Sequence, residues 1–143
     1  MNFKIYLFLS FIDLIYSQDY NYYVLAVQKW CTKNYQIHGL WPQYSPNIYP
    51  SYCMNTQYFP PKDELKYQMN KYWSSCNNTD LWEHEWIKHG TCILKENDIS
   101  EFNYFNLTIS LFKNNLNLIN SCLEENCRLA CFDLNFNIIK CPN

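Results

Sequence analysis

Apolar and aromatic runs near the start of the chain predict two strands. Residues 22–27 are β-branched and aromatic, which is typical of a strand, and residues 35–40 form a second candidate that carries His38. Five prolines then interrupt residues 41–62, so no regular element is predicted there and we expect a long loop rich in tyrosine. A loop of this length within a compact domain often binds a ligand.

The middle of the chain has the apolar spacing of helices. Residues 63–73 and 81–88 are predicted helices, the second with Asp80 as its N-cap. Residues 100–118 place apolar side chains three or four positions apart, which predicts one long helix with its apolar stripe in the core.

The end of the chain predicts a hairpin. Two strand candidates, 129–134 and 136–141, flank Asn135. Because asparagine tolerates left-handed backbone geometry where glycine is missing, Asn135 is the predicted turn residue.

The first residues have a different pattern. Residues 1–17 carry Lys4, then an apolar run broken by Asp13, then the small residue Ser17, which predicts a secretory signal peptide followed by one domain over residues 18–143. The run is too short and too interrupted for a membrane span, and no other segment approaches that length.

Composition narrows the function classes. Of 143 residues 48% are apolar and 17% charged, which supports a packed core and excludes a disordered polyelectrolyte. The net charge of −2 excludes a broad basic groove that holds nucleic acid by counterion release alone. The three histidines and two glycines all lie within residues 38–42 and 84–92, which is where chemistry is expected.

Eight cysteines follow the predicted signal peptide, and an even number there indicates disulfides formed in an oxidising compartment. No pair has the CxxC spacing of a zinc ribbon, and cysteine spacing alone cannot choose among the possible pairings. Two glycosylation sequons, at Asn77 and Asn106, fit the secretory route.

The helix predicted near residue 84 concentrates titratable groups. On a helical wheel of about 100° per residue, His84, Lys88, Glu85 and His89 share one arc of about 140°. Such a cluster suits proton transfer at a phosphate or carbonyl centre, with a cation and an acid beside it.

Two other interpretations of this helix stay open. A zinc hydrolase helix needs two histidines four positions apart, whereas His84 and His89 are five apart with Lys88 between them. The helix could equally present a solvated charged face without chemistry.

The segment that carries His38 favours the catalytic interpretation of this helix. His38-Gly39-Leu40-Trp41-Pro42, together with residues 84–92 (HEWIKHGTC), resembles the two active-site segments of the ribonuclease T2 family in order and spacing. The resemblance covers nearly the whole chain after residue 17, although the stretch between Cys92 and Cys131 is shorter than is typical. It implies an α+β domain in which an antiparallel sheet packs against helices.

The resemblance also implies roles. His89 would take the proton of the ribose 2′-hydroxyl and His38 would protonate the departing 5′-oxygen, giving a 2′,3′-cyclic phosphate and then a 3′-phosphate. Lys88 and Glu85 would stabilise the transition state, and His84 would hold the phosphate. No cofactor and no metal is implied.

The implied substrate is single-stranded RNA, since DNA lacks the 2′-hydroxyl nucleophile. Trp41 and Tyr44, with Tyr49 further along the predicted loop, are candidate stacking faces for bases. Protonating all three histidines would move the formal charge from −2 to +1, so attraction to RNA is expected to improve toward acid. We expect a monomer that is secreted or sent to a lysosome-like or vacuole-like compartment.

The disulfide pattern of the family implies three cysteine pairs in this chain, and the two cysteines that remain would form a fourth pair. The pairs are Cys31–Cys76, Cys53–Cys92, Cys131–Cys141 and, as the remaining one, Cys122–Cys127.

A rival from another class is a secreted binding or signalling protein that keeps the ribonuclease fold without needing cleavage. The short region after Cys92 motivates it, while five intact positions in the two segments argue against it.

Overall fold

The structure is a computed structural model that describes residues 20–29, 31–76, 80–93, 100–124 and 129–143. The predicted signal peptide, Asn77 and Cys127 lie outside these residues, and the side chain of Cys122 is likewise not described. No helix among the described residues is long and apolar enough to cross a bilayer.

A four-stranded antiparallel sheet has the strand order β2-β1-β3-β4. Its strands are β1 (Tyr22–Gln28), β2 (Gln36–Gln43), β3 (Leu129–Phe132) and β4 (Ile138–Ile139). The β1 residues are almost all buried, because this strand pairs on both sides and is covered on both faces.

Strand β2 continues three residues beyond its predicted end and includes Pro42, which the sequence placed in the loop. Proline cannot donate to a sheet ladder, but β2 is an edge strand, where a missing donor is tolerated. The following loop therefore begins at Tyr44.

The pairing of β1 with β2 contains a bulge at His38. Ala26 pairs with Gly39 and Val27 with Ile37, so His38 is the extra residue between them. A bulge bends a strand and re-aims the side chain at that position, and bulges are frequent beside active sites.

The helices are α1 (Asp63–Tyr72), α2 (Leu81–Glu85), a π-helical segment (Trp86–Gly90), α3 (Glu101–Asn114) and α4 (Leu116–Glu124). Asp80 precedes α2 as predicted, but its side chain makes no capping hydrogen bond; its carbonyl accepts from the His84 amide at 2.8 Å.

The single helix predicted over 100–118 is wrong. It divides at Asn115, whose side-chain amide donates to the Leu111 carbonyl at 2.9 Å and whose backbone N–H also bonds that carbonyl. Asparagine competes for backbone hydrogen bonds in this way, and apolar spacing does not report it.

The core lies between the sheet and the helices. Tyr23, Leu25 and Val27 of β1 face it, and Tyr22 and Val24 face a smaller cluster around Cys131 on the other side of the sheet. Large side chains from the helices fill the main core: Trp73, Trp86, Tyr104, Phe105 and Phe112. The structure is thus an α+β domain, as expected.

The terminal hairpin forms with its turn at Leu134 and Asn135, as predicted. The left-handed residue, however, is Phe136 and not Asn135, with a φ of 62°. The Asp133 carboxylate accepts from the backbone amides of Asn135 and Asn137, which fixes the turn, and the Phe136 ring stacks on Tyr23 with centroids 4.7 Å apart. Packing of an aromatic ring on the sheet decided this position.

Three of the implied disulfides are confirmed: Cys31–Cys76, Cys53–Cys92 and Cys131–Cys141. The pair Cys122–Cys127 stays a prediction. Cys53–Cys92 fastens the long loop to the end of the helix that carries His84 and His89.

Candidate active site

The bulge on β2 presents His38 to a carboxylate. The His38 Nε2 lies 3.3 Å from Glu85 Oε1, with one third of the imidazole side chain exposed. Trp73 donates its indole N–H to the His38 carbonyl at 2.8 Å, which fixes the backbone of the bulge. This histidine is therefore held in position and open to a substrate.

Glu85 is almost completely buried and binds two groups of the β2 segment. Its other carboxylate oxygen, Oε2, accepts a hydrogen bond from Trp41 Nε1 at 2.7 Å. A Cβ at Gly39 would lie 2.0 Å from this oxygen, so only glycine allows the strand to approach the carboxylate. Glu85 thus orients His38 and Trp41 together.

The π-helical segment alters the predicted wheel. Because a π-turn has more residues per turn than an α-helix, Lys88 and His89 lie at smaller angles from His84 than they would on an uninterrupted α-helix. The Tyr52 amide donates to the Lys88 carbonyl at 2.9 Å, which joins the long loop to this irregular turn. Inserted turns of this kind are frequent at functional sites.

His89 is only 3% exposed and lies between two aromatic rings. Its centroid is 5.2 Å from the Trp41 ring and 5.5 Å from Tyr49. Burial, and then the positive charge of Lys88, lower the pKa of His89 to about 3. Its Nδ1 is buried with no hydrogen-bond partner among the described residues, so this imidazole is neutral at ordinary pH.

The remaining predicted catalytic groups lie at the rim. Lys88 is half-buried, with its Nζ 5.6 Å from the Tyr49 ring centroid, and His84 is exposed on the same helical stretch. The structure thus brings His38, Glu85, Lys88 and His89 around Trp41 and Tyr49.

The two candidate base-binding residues, Trp41 and Tyr44, lie in different surroundings. Trp41 lies between the two catalytic histidines, 5.4 Å from His38 by ring centroids. Tyr44 instead packs against the main core, and it is the half-exposed Tyr49 that contacts His89 and Lys88. The difference arises because the loop folds back over the helix, which sequence distance from His38 does not indicate.

Gln43 is a site residue that the sequence reasoning missed. It is 5% exposed and lines a cavity of about 170 Å³ together with Trp41 and Tyr49. A buried amide beside two aromatic faces can hydrogen-bond the edge of a bound ring. A polar residue directly after Trp41-Pro42 was the available signal.

The predicted sequon at Asn106 lies on the exposed face of α3, with Thr108 buried and donating to the Tyr104 carbonyl. Glycosylation there stays a prediction. Among the described residues no group of three histidine, cysteine or acidic side chains is placed to hold a metal ion.

Chemically, the site combines a neutral imidazole with a second imidazole that faces a carboxylate. The first suits a proton acceptor, and the second is oriented by its contact with that carboxylate. Lys88 supplies a cation beside them. Such a set can move a proton onto and off a substrate held across Trp41.

Comparison with known proteins identifies relatives by sequence. The model described as "Ribonuclease T2 family" matches residues 13–127. Ribonuclease DdI of Dictyostelium discoideum is 35% identical over 111 residues, covering 66% of this chain and 49% of that protein. Ribonuclease 1 of Arabidopsis thaliana is 38% identical over 93 residues, covering 60% and 39%. The chain spans about half or less of these relatives.

Solved structures share the fold. Japanese pear S3-RNase superposes with a TM-score of 0.65 at 20% identity, covering 87% of this chain and 92% of that one. RNase NT in complex with 5′-AMP gives 0.63 at 23% identity, covering 88% and 92%. At these identities the likeness concerns the fold.

Proposed function

The chain belongs to the Ribonuclease T2 family, and from this premise we propose that it is an endoribonuclease that cleaves single-stranded RNA without a metal. The observation that carries the proposal is the placement of His38 and His89 on either side of Trp41, with Glu85 bound to the first and burial keeping the second neutral.

In the first step His89 accepts the proton of the ribose 2′-hydroxyl, and the 2′-oxygen attacks the adjacent phosphorus. Protonated His38 gives its proton to the 5′-oxygen as the P–O bond breaks, which leaves a 2′,3′-cyclic phosphate. Because the nucleophile is already beside the phosphorus, little orientation has to be supplied.

In the second step the two histidines exchange roles. His38, now neutral, takes a proton from water, and the hydroxide attacks the cyclic phosphate. His89 returns its proton to the 2′-oxygen, giving a 3′-phosphate and restoring both groups. Lys88 stabilises the charge on the phosphorane-like transition state, and exposed His84 holds a phosphate oxygen.

Glu85 is a positioning residue in this scheme. Its contact with His38 Nε2 at 3.3 Å holds this imidazole in the place from which it would donate the proton. Trp41 and Tyr49 offer faces to a splayed base, and Gln43 offers an amide to its edge. Of the two tyrosines predicted to stack on bases, Tyr49 lies beside His89, whereas Tyr44 packs against the core.

Three disulfides fit an oxidising compartment, so we propose that the protein is secreted or held in a lysosome-like or vacuole-like compartment as a monomer. The gain in positive charge at acid pH is smaller than the sequence indicated. Because His89 stays neutral until about pH 3, protonation of the other two histidines moves the formal charge from −2 to 0 rather than to +1.

The test is cleavage of single-stranded RNA by the oxidised protein from pH 3 to 8 with EDTA present. We expect RNA to be cut to cyclic and 3′-phosphate ends and a matched DNA strand to be spared. His89→Asn should lose about 10²-fold or more in kcat, while Lys66→Gln, an exposed change on α1, should cut at the parent rate.

Folded protein that cuts no RNA at any pH would contradict the proposal and favour the binding or signalling rival. Activity that chelator abolishes would favour a metal-dependent hydrolase instead.

A further inference from the structure

A second concave surface lies outside the site described above. A groove of about 750 Å³ is bounded by the start of β2, the end of α1 and the start of α4. We call it the lysine–tyrosine groove. Its lining residues are Lys29, Lys33, Asn34, Tyr35, Gln36, Lys71, Tyr72, Phe112, Leu116 and Asn120.

Positive charge is concentrated here. Lys29, Lys33 and Lys71 line the groove, and the Nζ of Lys113 lies 5.4 Å from the ring centroid of Tyr72. These four cations are more than a third of the eleven lysines and arginines in a chain with net charge −2, and no acidic residue is among the described residues of the lining. A local positive field on an anionic protein fits a polyanion.

Aromatic rings alternate with these cations. The Lys29 Nζ lies 4.5 Å from the Tyr35 centroid, and the Lys71 Nζ lies 5.1 Å from Tyr72. Both tyrosines are half-buried, so their rings are held while part of each stays accessible. Proteins bind single-stranded nucleic acid with cations that contact the phosphates and with aromatic rings that stack on the bases. A flat membrane surface would not enter a concave groove.

The groove and the active site share their supporting elements. Gln36 of the groove is two residues before His38, and its Oε1 accepts from the Ser74 amide at 3.1 Å. Tyr72 directly precedes Trp73, whose indole bonds the His38 carbonyl. The same strand and the same helix end therefore position both His38 and the groove, which puts the groove on the His38 side of the site.

We propose that the lysine–tyrosine groove binds the part of the RNA strand that follows the cleaved bond, so that the preferred substrate is a polymer and not a dinucleotide. The proposal rests on the proposed function, because His38 marks the side of the 5′-oxygen leaving group only if it is the acid.

The experiment compares two triple variants with the same change in charge. Lys33→Gln/Lys71→Gln/Lys113→Gln alters the groove, and Lys62→Gln/Lys66→Gln/Lys140→Gln alters exposed lysines outside its lining. Steady-state kinetics are measured on a dinucleoside monophosphate and on an RNA of about twenty nucleotides, long enough to cross the groove.

For the groove variant we expect KM for the long RNA to rise about tenfold, and the slope of log KM against log salt to fall by about 2, since three phosphate contacts are removed. Its kcat and KM on the dinucleoside should equal those of the parent, which also shows that the variant is folded. The control triple should match the parent on both substrates.

Equal losses in the two triples, or equal losses on both substrates, would overturn the groove proposal while leaving the proposed cleavage in place. Failure of the parent to cleave either substrate would overturn the proposed function instead. Binding of 2′-O-methyl RNA and of phosphatidylserine vesicles is measured in parallel. A groove variant that loses the vesicles and keeps the RNA would assign the groove to lipid and overturn the proposal.

Discussion

At the residue scale, the site depends on one buried imidazole. His89 is enclosed by Trp41 and Tyr49, and removal from water disfavours its charged form. The general base of the proposed mechanism must be neutral at the working pH, and this environment favours the neutral form of His89.

This enclosure predicts a cost in stability. The folded-state pKa of His89 is about 3, below the ordinary value near 6.5, so the unfolded chain binds the proton first as pH falls. The free energy of unfolding is therefore expected to decrease between about pH 6.5 and pH 3, by up to about 1.4 kcal/mol per pH unit from this group. Urea unfolding at pH 7, 5 and 4 measures it.

The control is His89→Phe, which keeps an aromatic ring and removes the titration. Its decrease between pH 7 and 4 should be smaller than that of the parent by the contribution of His89. Parallel pH curves for the two proteins would show that His89 titrates normally in the folded state.

The contact between Glu85 and His38 gives a second prediction. Glu85→Gln keeps the size of the side chain but removes the negative charge 3.3 Å from the imidazole. An amide presents one acceptor oxygen where the carboxylate presents two, so it cannot hold both His38 and Trp41, and kcat should fall about 10²-fold with little change in KM.

Glu83→Gln is the matched control, since Glu83 is exposed on the same helix. It should leave both kcat and KM unchanged. A role of Glu85 in folding alone would instead lower the folded fraction and leave the kcat of the folded protein near the parent value.

At the element scale, both histidines of the proposed mechanism lie at irregularities of their elements. His38 is the extra residue of a bulge, and Lys88 and His89 lie in a π-helical turn. Apolar periodicity predicts that a strand and a helix exist here, but it carries no information about one inserted residue, because the insertion is stabilised by contacts with other elements.

The disulfide Cys53–Cys92 holds the loop that carries Tyr49 against this helix. Its removal should lower the free energy of unfolding more than removal of the disulfide Cys131–Cys141. It closes 39 residues, whereas Cys131–Cys141 closes 10. On the chain-entropy estimate, their loss costs about 4 and about 3 kcal/mol of unfolding free energy.

The variants that lack one or the other disulfide should also differ in activity. Cys53→Ser/Cys92→Ser frees the loop beside His89 and should reduce kcat/KM for RNA at a temperature where the protein is still folded. The disulfide Cys131–Cys141 fastens the terminal hairpin, so Cys131→Ser/Cys141→Ser should leave kcat/KM closer to the parent value. Thermal unfolding followed by circular dichroism gives the folded range for both, and equal activity losses would argue against a clamping role for Cys53–Cys92.

At the scale of the whole molecule, net charge conceals an uneven distribution. The sum of −2 argues against a broad basic groove, yet four lysines from α1, α3 and the segment between β1 and β2 converge on one groove. Their positions along the sequence give no sign of it, since the packing of α1 against α3 brings them together.

The sequence by itself determined the family, the α+β class, both early strands and helix α1, because two long motifs and local periodicity are properties of neighbouring residues. The three confirmed disulfide pairs followed from the family resemblance and not from cysteine spacing. Tertiary structure alone decided the division of the long helix at Asn115, the left-handed backbone at Phe136, the packing of Tyr44 against the core and the burial of Gln43. Each of these depends on which distant side chain fills a space or accepts a hydrogen bond, and short-range patterns do not encode that choice.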